Sequence, residues 1–159
     1  MEESLAPQTQ EGAGFEPTLV RQFTVFLENR VGRLQAMVRA VESSDARIVA
    51  LSIEESADSS LVRLIVSDSE LGRHTLSSNK FSFTETELLA VEMPKRTSQP
   101  LIAVCSAMLA AEINIHYAYP LLYRPHGPAI ALYVDDPILA AQLLIKKGFT
   151  LIGESDLKG

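Results

Sequence analysis

The sequence contains no tryptophan, a single cysteine and only 6% aromatic residues. One cysteine excludes an intramolecular disulfide and a zinc site built from several cysteines. Cys105 lies among the apolar residues Ala103, Val104 and Met108, which predicts a buried and unreactive thiol. No two histidines combine metal-ligand spacing with a nearby carboxylate, and no Ser/His/Asp or Cys/His group is recognisable. The sequence therefore predicts no metal site, no cofactor and no catalytic residue.

Positive charge is also scarce, because 14 Lys and Arg face 20 Asp and Glu, for a net charge of -6. Such a chain does not favour nucleic acid or an anionic membrane surface as a partner. No apolar run approaches the ~18 residues that a membrane span needs. Residues 1–18 are acidic, rich in Gln, Gly and Pro, and unlike a secretory signal, so we expect a disordered tail there. These features together predict a cytoplasmic protein.

What the sequence does contain is an internal repeat with an offset of about 67 or 68 residues. When Leu34 is aligned with Leu101, residues 44–48 lie over 111–115, residues 64–68 over 132–136, and residues 80–82 over 148–150. The offset is too long for a solenoid repeat. It predicts a duplicated small domain, with one unit at residues 19–86 and the second at 87–159.

Both halves show the same order of strand and helix patterns. The first half predicts strands at residues 21–28, 48–53, 61–66 and 81–86, with helices at about 34–42 and 67–77. Ser67 and Glu70 have the spacing of a capping box for the second of these helices. The second half predicts strands at 88–93, 114–119, 129–134 and 149–153, with helices at about 101–111 and 137–147. Asp136 and Pro137 supply the start of the last helix.

The strand–helix–strand–strand–helix–strand order is the ferredoxin-like arrangement. The fold class predicted is therefore α+β, with two tandem ferredoxin-like (βαββαβ) units that carry antiparallel sheets and helices on one face. A lone unit of about 65 to 70 residues has little net stability. No Gly-, Pro- or Ser-rich spacer separates the two units. We therefore expect them to pack together as one block.

The candidate ligand site is the loop at residues 29–34, which joins a strand to the start of a helix. It comprises Asn29, Arg30, Val31, Gly32, Arg33 and Leu34. Free backbone N–H groups and the helix dipole favour an anion at such a position, and Gly32 allows close approach of a ligand. The same residues also suit a tight connection that holds no ligand, so composition alone leaves both interpretations open.

In this repeated frame, residues 29–34 resemble the ACT domain, whose loop signature is D-x-P-G-x-L. Gly32 and Leu34 match the signature, whereas Asn29 replaces the Asp and Val31 replaces the Pro. The Ile-Asn-Ile at residues 113–115 is a further similarity. The resemblance implies a regulatory module that binds amino acids at domain interfaces, and it extends ligand contacts to Asn114. The neutral Asn29 weakens selection for a free α-amino acid, and the second loop, at residues 95–101, lacks the glycine.

The predicted function is a non-catalytic regulatory module that binds an amino acid or similar small carboxylate at the interface of the two ACT-like units. Its output would pass to a partner enzyme or regulator. The alternative is a scaffold protein that has kept the fold and lost the ligand. An enzyme is the third interpretation, because residues 30–33 resemble the phosphate loop of acylphosphatases. Exposed sheet edges need covering, so a homodimer through sheet edges or helices is also expected.

Overall fold

The computed structural model describes residues 18–123 and 127–158. Almost all of the predicted tail, residues 1–17, lies outside the described residues. The elements in chain order are β1 (Val20–Glu28), α1 (Arg33–Glu42), β2 (Ile48–Glu55), β3 (Ser59–Val66), α2 (Ser69–Ser78), β4 (Ser82–Glu92), α3 (Pro100–Ala110), β5 (Ile115–Pro120), β6 (Ala129–Val134), α4 (Pro137–Lys146) and α5 (Glu154–Lys158). None of the helices in these residues combines the length and the apolar character of a membrane-spanning segment.

The six strands form one antiparallel sheet in the order β2-β3-β1-β4-β6-β5. The order β2-β3-β1-β4 is that of a ferredoxin-like unit. In the second half, β4, β6 and β5 are neighbours in the same way as β1, β3 and β2 are in the first half. The α+β fold class with tandem ferredoxin-like units is confirmed.

Strand β4 belongs to both halves of the sheet. The sequence predicted separate strands at residues 81–86 and 88–93, but β4 runs without interruption over Ser82–Glu92. Its first part pairs with β1 as far as Leu88, which lies opposite Val20, and its second part pairs with β6 from Leu89. Because no Gly or Pro interrupts this segment, nothing forces the backbone out of the extended conformation.

The strand predicted at residues 149–153 is reduced to a single bridge between Leu151 and Val91. Strand β1 already occupies that edge of β4 up to Leu88, so only the end of β4 is left to pair. The chain then turns into α5, which the sequence did not predict. Leu157 of α5 is fully buried in the core.

The helix starts follow local capping chemistry. The Asp68 and Asp136 side chains accept hydrogen bonds from the backbone N–H groups of Leu71 and Leu139, at 3.2 and 3.1 Å. The predicted capping box at Ser67 is wrong. The Ser67 hydroxyl instead accepts a hydrogen bond from the Arg47 N–H at 2.8 Å, so α2 begins after Asp68.

The buried apolar residues form three clusters. One lies between β1, β3 and the helices α1 and α2, and a second lies between β4, β6 and the helices α3 and α4. The third contains strand residues of both halves together with Leu157. Ala50 of the edge strand β2 forms an isolated bridge with Leu121, the residue after the other edge strand β5, so the two ends of the sheet approach each other beside this central cluster.

Cys105 is exposed, which corrects the prediction of a buried thiol. Helix α3 is apolar on nearly all sides, so its sequence does not show which side faces the sheet. The side that the structure buries carries Val104, Ala107 and Met108.

Candidate functional site

The loop at residues 29–34 connects β1 to α1 in a compact turn. The Arg30 N–H donates to the Glu28 carbonyl at 2.8 Å, and the Arg33 N–H donates to the Arg30 carbonyl at 3.2 Å. Gly32 then adopts a left-handed conformation, with φ of 87°. A residue with a side chain is strained in this conformation, so glycine permits the turn directly into the helix.

Helix α1 begins without the side-chain cap that α2 and α4 possess. Its N-cap residue is Gly32, and in the described part of the chain no side chain caps its first turn. The Asp68 and Asp136 carboxylates perform that role at α2 and α4. The first-turn N–H groups of an α-helix lack partners within the helix and carry the positive end of its dipole. The start of α1 is therefore suited to an anionic group from outside the chain.

A cavity of about 260 Å³ lies beside this helix start, between the 29–34 loop and the β2–β3 hairpin. Its lining residues are Leu27, Glu28, Asn29, Arg30, Gly32, Arg33, Leu34, Ile53, Glu55, Ser60 and Val62. The volume is slightly below the roughly 300–1,000 Å³ of typical sites for drug-sized ligands, which restricts an occupant to a small molecule.

The structure places five of the six predicted loop residues around this cavity. Val31 is not among the lining residues, and its side chain is fully exposed. Asn114 also lies outside the lining, just before β5 in the second half, where its N–H donates to Asp135 Oδ2 at 3.2 Å. The cavity therefore brings the loop together with a different set of residues from those that the ACT resemblance suggested.

The residues that sequence reasoning missed come from β2 and β3. Ser60 of β3 lies between its two partners, Leu27 of β1 and Glu55 of β2. Two residues along the same strands, Val62 of β3 pairs with Ile53 of β2. Alternation predicts which residues of one strand share a face, but the register of three strands is needed to bring these side chains to the loop.

The cavity contains charged groups of both signs. Arg30 pairs with Glu28 at 3.0 Å, but both side chains are about two-thirds exposed, so the pair is weak. Arg33 also lines the cavity, and its guanidinium carbon lies 4.9 Å from the centre of the Phe81 ring, which is not a lining residue. Its Nε atom is buried and has no hydrogen-bond partner among the described residues. A buried donor of this kind is costly unless a ligand or water completes it.

The second half has a similar cavity at the equivalent loop, also about 260 Å³ in volume. It is lined by residues 92–96 and 148–150. Gly148 is left-handed, with φ of 90°, and an Arg96 guanidinium nitrogen lies 3.3 Å from where a Cβ atom of this residue would be. The two cavities share only the loop, because residues 148–150 correspond to residues 80–82 of the first half, whereas the first cavity lies against the β2–β3 hairpin.

Comparison with known proteins assigns the chain to a family. A family model described as an ACT domain pair matches residues 18–159. The solved structure of protein BT0572 from Bacteroides thetaiotaomicron is 26% identical and has a TM-score of 0.79, over 89% of this chain and 97% of that chain. The ligand-free regulatory subunit of aspartate kinase from Thermus thermophilus shares the fold at 8% identity, with a TM-score of 0.55, over 82% of this chain and 93% of that chain. No curated protein matches the sequence. The chain belongs to the family of ACT domain pairs.

Proposed function

We propose that this protein is a non-catalytic regulatory module that binds a small carboxylate, most simply an amino acid, in the cavity beside the 29–34 loop. The observation that carries the proposal is the uncapped start of α1, which opens onto a cavity large enough for a small molecule. Membership in the ACT domain pair family supports a regulatory, ligand-binding role.

The ligand carboxylate would accept hydrogen bonds from the first-turn N–H groups of α1, next to Gly32. The Arg33 N–H already donates to the Arg30 carbonyl, so the donors of this turn are the N–H groups of Leu34 and Gln35. A hydrogen bond to a charged group contributes about 1.5–3 kcal/mol, so these two would hold a small anion. Arg33 also lines this cavity and adds a positive charge near the same helix start.

The ammonium group of an amino acid would bind on the other side, at Glu28 or Glu55. The ACT signature places an Asp where this chain has Asn29, so sequence comparison alone disfavours an ammonium ligand. The two glutamates restore acidic groups to the cavity from different positions. Glu55 is the stronger candidate, because Glu28 already pairs with Arg30.

The ligand would act by shifting the equilibrium between different arrangements of the two ACT-like units. The cavity is bounded by β1, and β1 pairs with β4, whose far end continues into the second half of the sheet. A ligand that prefers one arrangement biases it by its difference in affinity, typically about 1–3 kcal/mol. We propose that an enzyme or regulator on another chain receives this signal.

The alternative is a scaffold that binds no ligand. One contact favours it, because the Asn29 side-chain amide donates to the Ala57 carbonyl at 3.4 Å and so engages the chain's own backbone. In the scaffold interpretation, the cavity is a remnant of the family fold.

Calorimetric titration with each of the twenty amino acids distinguishes the two functions. The regulatory module predicts saturable heat for at least one of them, and heat for none supports the scaffold. For an amino acid that binds, Glu55→Gln should weaken binding at least tenfold, while affinity for the same acid without its amino group changes little. Glu54→Gln is the matched control, because Glu54 is on the same strand, outside the cavity and paired with Arg63. Equal losses for both variants would contradict the ammonium assignment.

A further inference from the structure

We propose that the outer face of α3 and α4 is the surface through which two copies of this chain form a homodimer. This proposal does not rest on the ligand site. The six large aliphatic residues exposed there are Leu101, Ile102, Leu109, Ile138, Leu139 and Ile145, with exposed fractions of 41–77%. A helix that is apolar all round is normally buried, and α3 contains no charged residue among its eleven.

The first half provides an internal comparison. Helices α1 and α3 begin 67 residues apart, at Arg33 and Pro100, so Ile102 corresponds to Gln35 and Leu109 corresponds to Glu42. All four residues are exposed. The same surface of the same fold is therefore polar in one half and apolar in the other. The fold itself does not require the apolar residues, so a covering partner explains them better than the architecture does.

The exposed positions of α3 share one side of the helix. Leu101, Ile102, Cys105 and Leu109 lie within an arc of about 100°, given 3.6 residues per turn. Val104 and Met108 lie on the buried side. Helix α4 packs against the same sheet and adds Ile138 and Ile145, which are one above the other at a spacing of seven residues.

Charge favours a second copy as the occupant. The chain carries a net charge of -6, so most of its surface repels another copy of itself. The α3 face, by contrast, contributes no charge within the helix. Two α3 helices related by a two-fold axis would bring no charges of their own together, and the one charged residue within α4 is Lys146 in its last turn. An isologous interface needs only one self-complementary surface.

The sheet edges are poorer candidates for the same interface. The Ala50–Leu121 bridge and a 2.6 Å hydrogen bond from the Leu122 N–H to the Val49 carbonyl join the two edge strands to each other. Beyond that junction, β2 ends in Glu54 and Glu55, and charges on an edge strand discourage pairing with another chain.

The exposed apolar area is of the size that a dimer requires. The six aliphatic side chains, each about half exposed, present on the order of 600 Å², at the upper end of the largest apolar patches on typical monomers. A standard interface buries about 800 Å² on each partner, so the apolar residues would form most of its centre.

Sedimentation of the full chain over a range of concentrations tests the proposal. We expect a species of twice the monomer mass of 17.4 kDa that dissociates on dilution. Ile102→Glu and Leu109→Glu should each raise the dissociation constant at least about thirtyfold, as expected for buried centres of an interface. Gln35→Glu is the matched control, because it adds a charge at the equivalent position of α1 and should leave the constant unchanged.

Cys105 provides a second measurement, since it lies among the exposed residues of α3. Its reaction with a maleimide should slow as protein concentration rises, and should be fast at all concentrations in Leu109→Glu. Circular dichroism would verify that the variants are folded. The proposal is overturned if the wild-type chain stays monomeric, which would leave the face to a different protein. It is equally overturned if both glutamate variants still form dimers.

Discussion

The Gln22 side-chain oxygen accepts a hydrogen bond from the Tyr119 hydroxyl at 2.5 Å, inside the core that the two halves share. Gln22 is fully buried on β1, and Tyr119 is 5% exposed on β5. The Gln22 Nε2 also donates to the Tyr117 hydroxyl at 2.8 Å. Burial raises the pKa of Tyr119, so its hydroxyl remains a donor throughout the neutral range. This buried polar contact joins the first half to the second.

Replacing Gln22 by Leu should destabilise the protein by about 1–3 kcal/mol, because the Tyr119 hydroxyl would then be buried without its acceptor. Urea unfolding would measure the loss. Tyr119→Phe in the same chain should recover part of it, since both ends of the contact are then apolar. The control is Gln35→Leu on the surface of α1, which should change stability by less than about 0.5 kcal/mol. If the double variant lost the sum of the stabilities lost by Gln22→Leu and Tyr119→Phe separately, the hydrogen bond between the two side chains would not contribute to stability.

Glu85 should make stability depend on pH in the acid range. Arg73 contacts both of its carboxylate oxygens at 2.8 Å, and Arg21 contacts one at 2.9 Å. These guanidinium groups, Arg73 first, lower the pKa of Glu85 from the ordinary 4.5 to about 2. Because the folded pKa is the lower one, the stabilisation is complete above the unfolded pKa and is lost as pH falls from about 4.5 towards 2.

The variant Glu85→Gln measures this contribution. At pH 7 we expect it to reduce the free energy of unfolding by about 1–2 kcal/mol, after allowance for solvent screening of the partly exposed pairs. Near pH 2 the difference from the wild type should almost vanish. Glu87→Gln is the control, since Glu87 lies 3.8 Å from Arg21 and is more exposed. A loss of the same size at both pH values would rule out the ion pairs as its cause.

Gly72 on α2 should not tolerate alanine. In most helix interiors the change from glycine to alanine stabilises by up to about 1 kcal/mol. Here a Cβ atom would lie 2.7 Å from Val66 Cγ2 and 3.3 Å from Phe23 Cε2, both in the core. The crowding should reverse the sign and destabilise by about 1–3 kcal/mol. Thermal unfolding would measure the loss. In a chain that already carries Val66→Ala, Gly72→Ala should lower the unfolding temperature by less than it does in the wild type.

Leu157 tests whether α5 is part of the core. It is fully buried in the central cluster, and α5 is attached to the first half through Glu154, which accepts the Arg21 N–H at 2.7 Å and the Ser69 hydroxyl at 2.8 Å. Leu157→Ala should cost about 2–4 kcal/mol, as for other large-to-small core substitutions. Lys158→Ala, at the exposed neighbouring position, should cost almost nothing. Similar unfolding curves for both variants would mean that α5 does not stabilise the fold.

The success of sequence reasoning differs between the loop and its surroundings. The 29–34 loop could be selected because Gly32 follows a strand pattern and precedes a helix pattern, and all these signals are local. Glu55 and Ser60 belong to a hairpin about 25 residues further on, and only strand pairing brings them beside Leu27. Nothing local marks them as residues of the same cavity.

The sequence by itself determined the repeat, most elements and the ferredoxin-like order, because hydrophobic periods of 2 and 3.6 and helix caps act over a few residues. Only the tertiary structure decided that β4 serves both halves, that Leu151 keeps one bridge and that α5 enters the core. It also decided that Cys105 faces outward. These outcomes depend on which strand edge is already occupied and on which side of an apolar helix meets the sheet. Both are set by contacts between residues far apart in the chain, where local patterns carry no information.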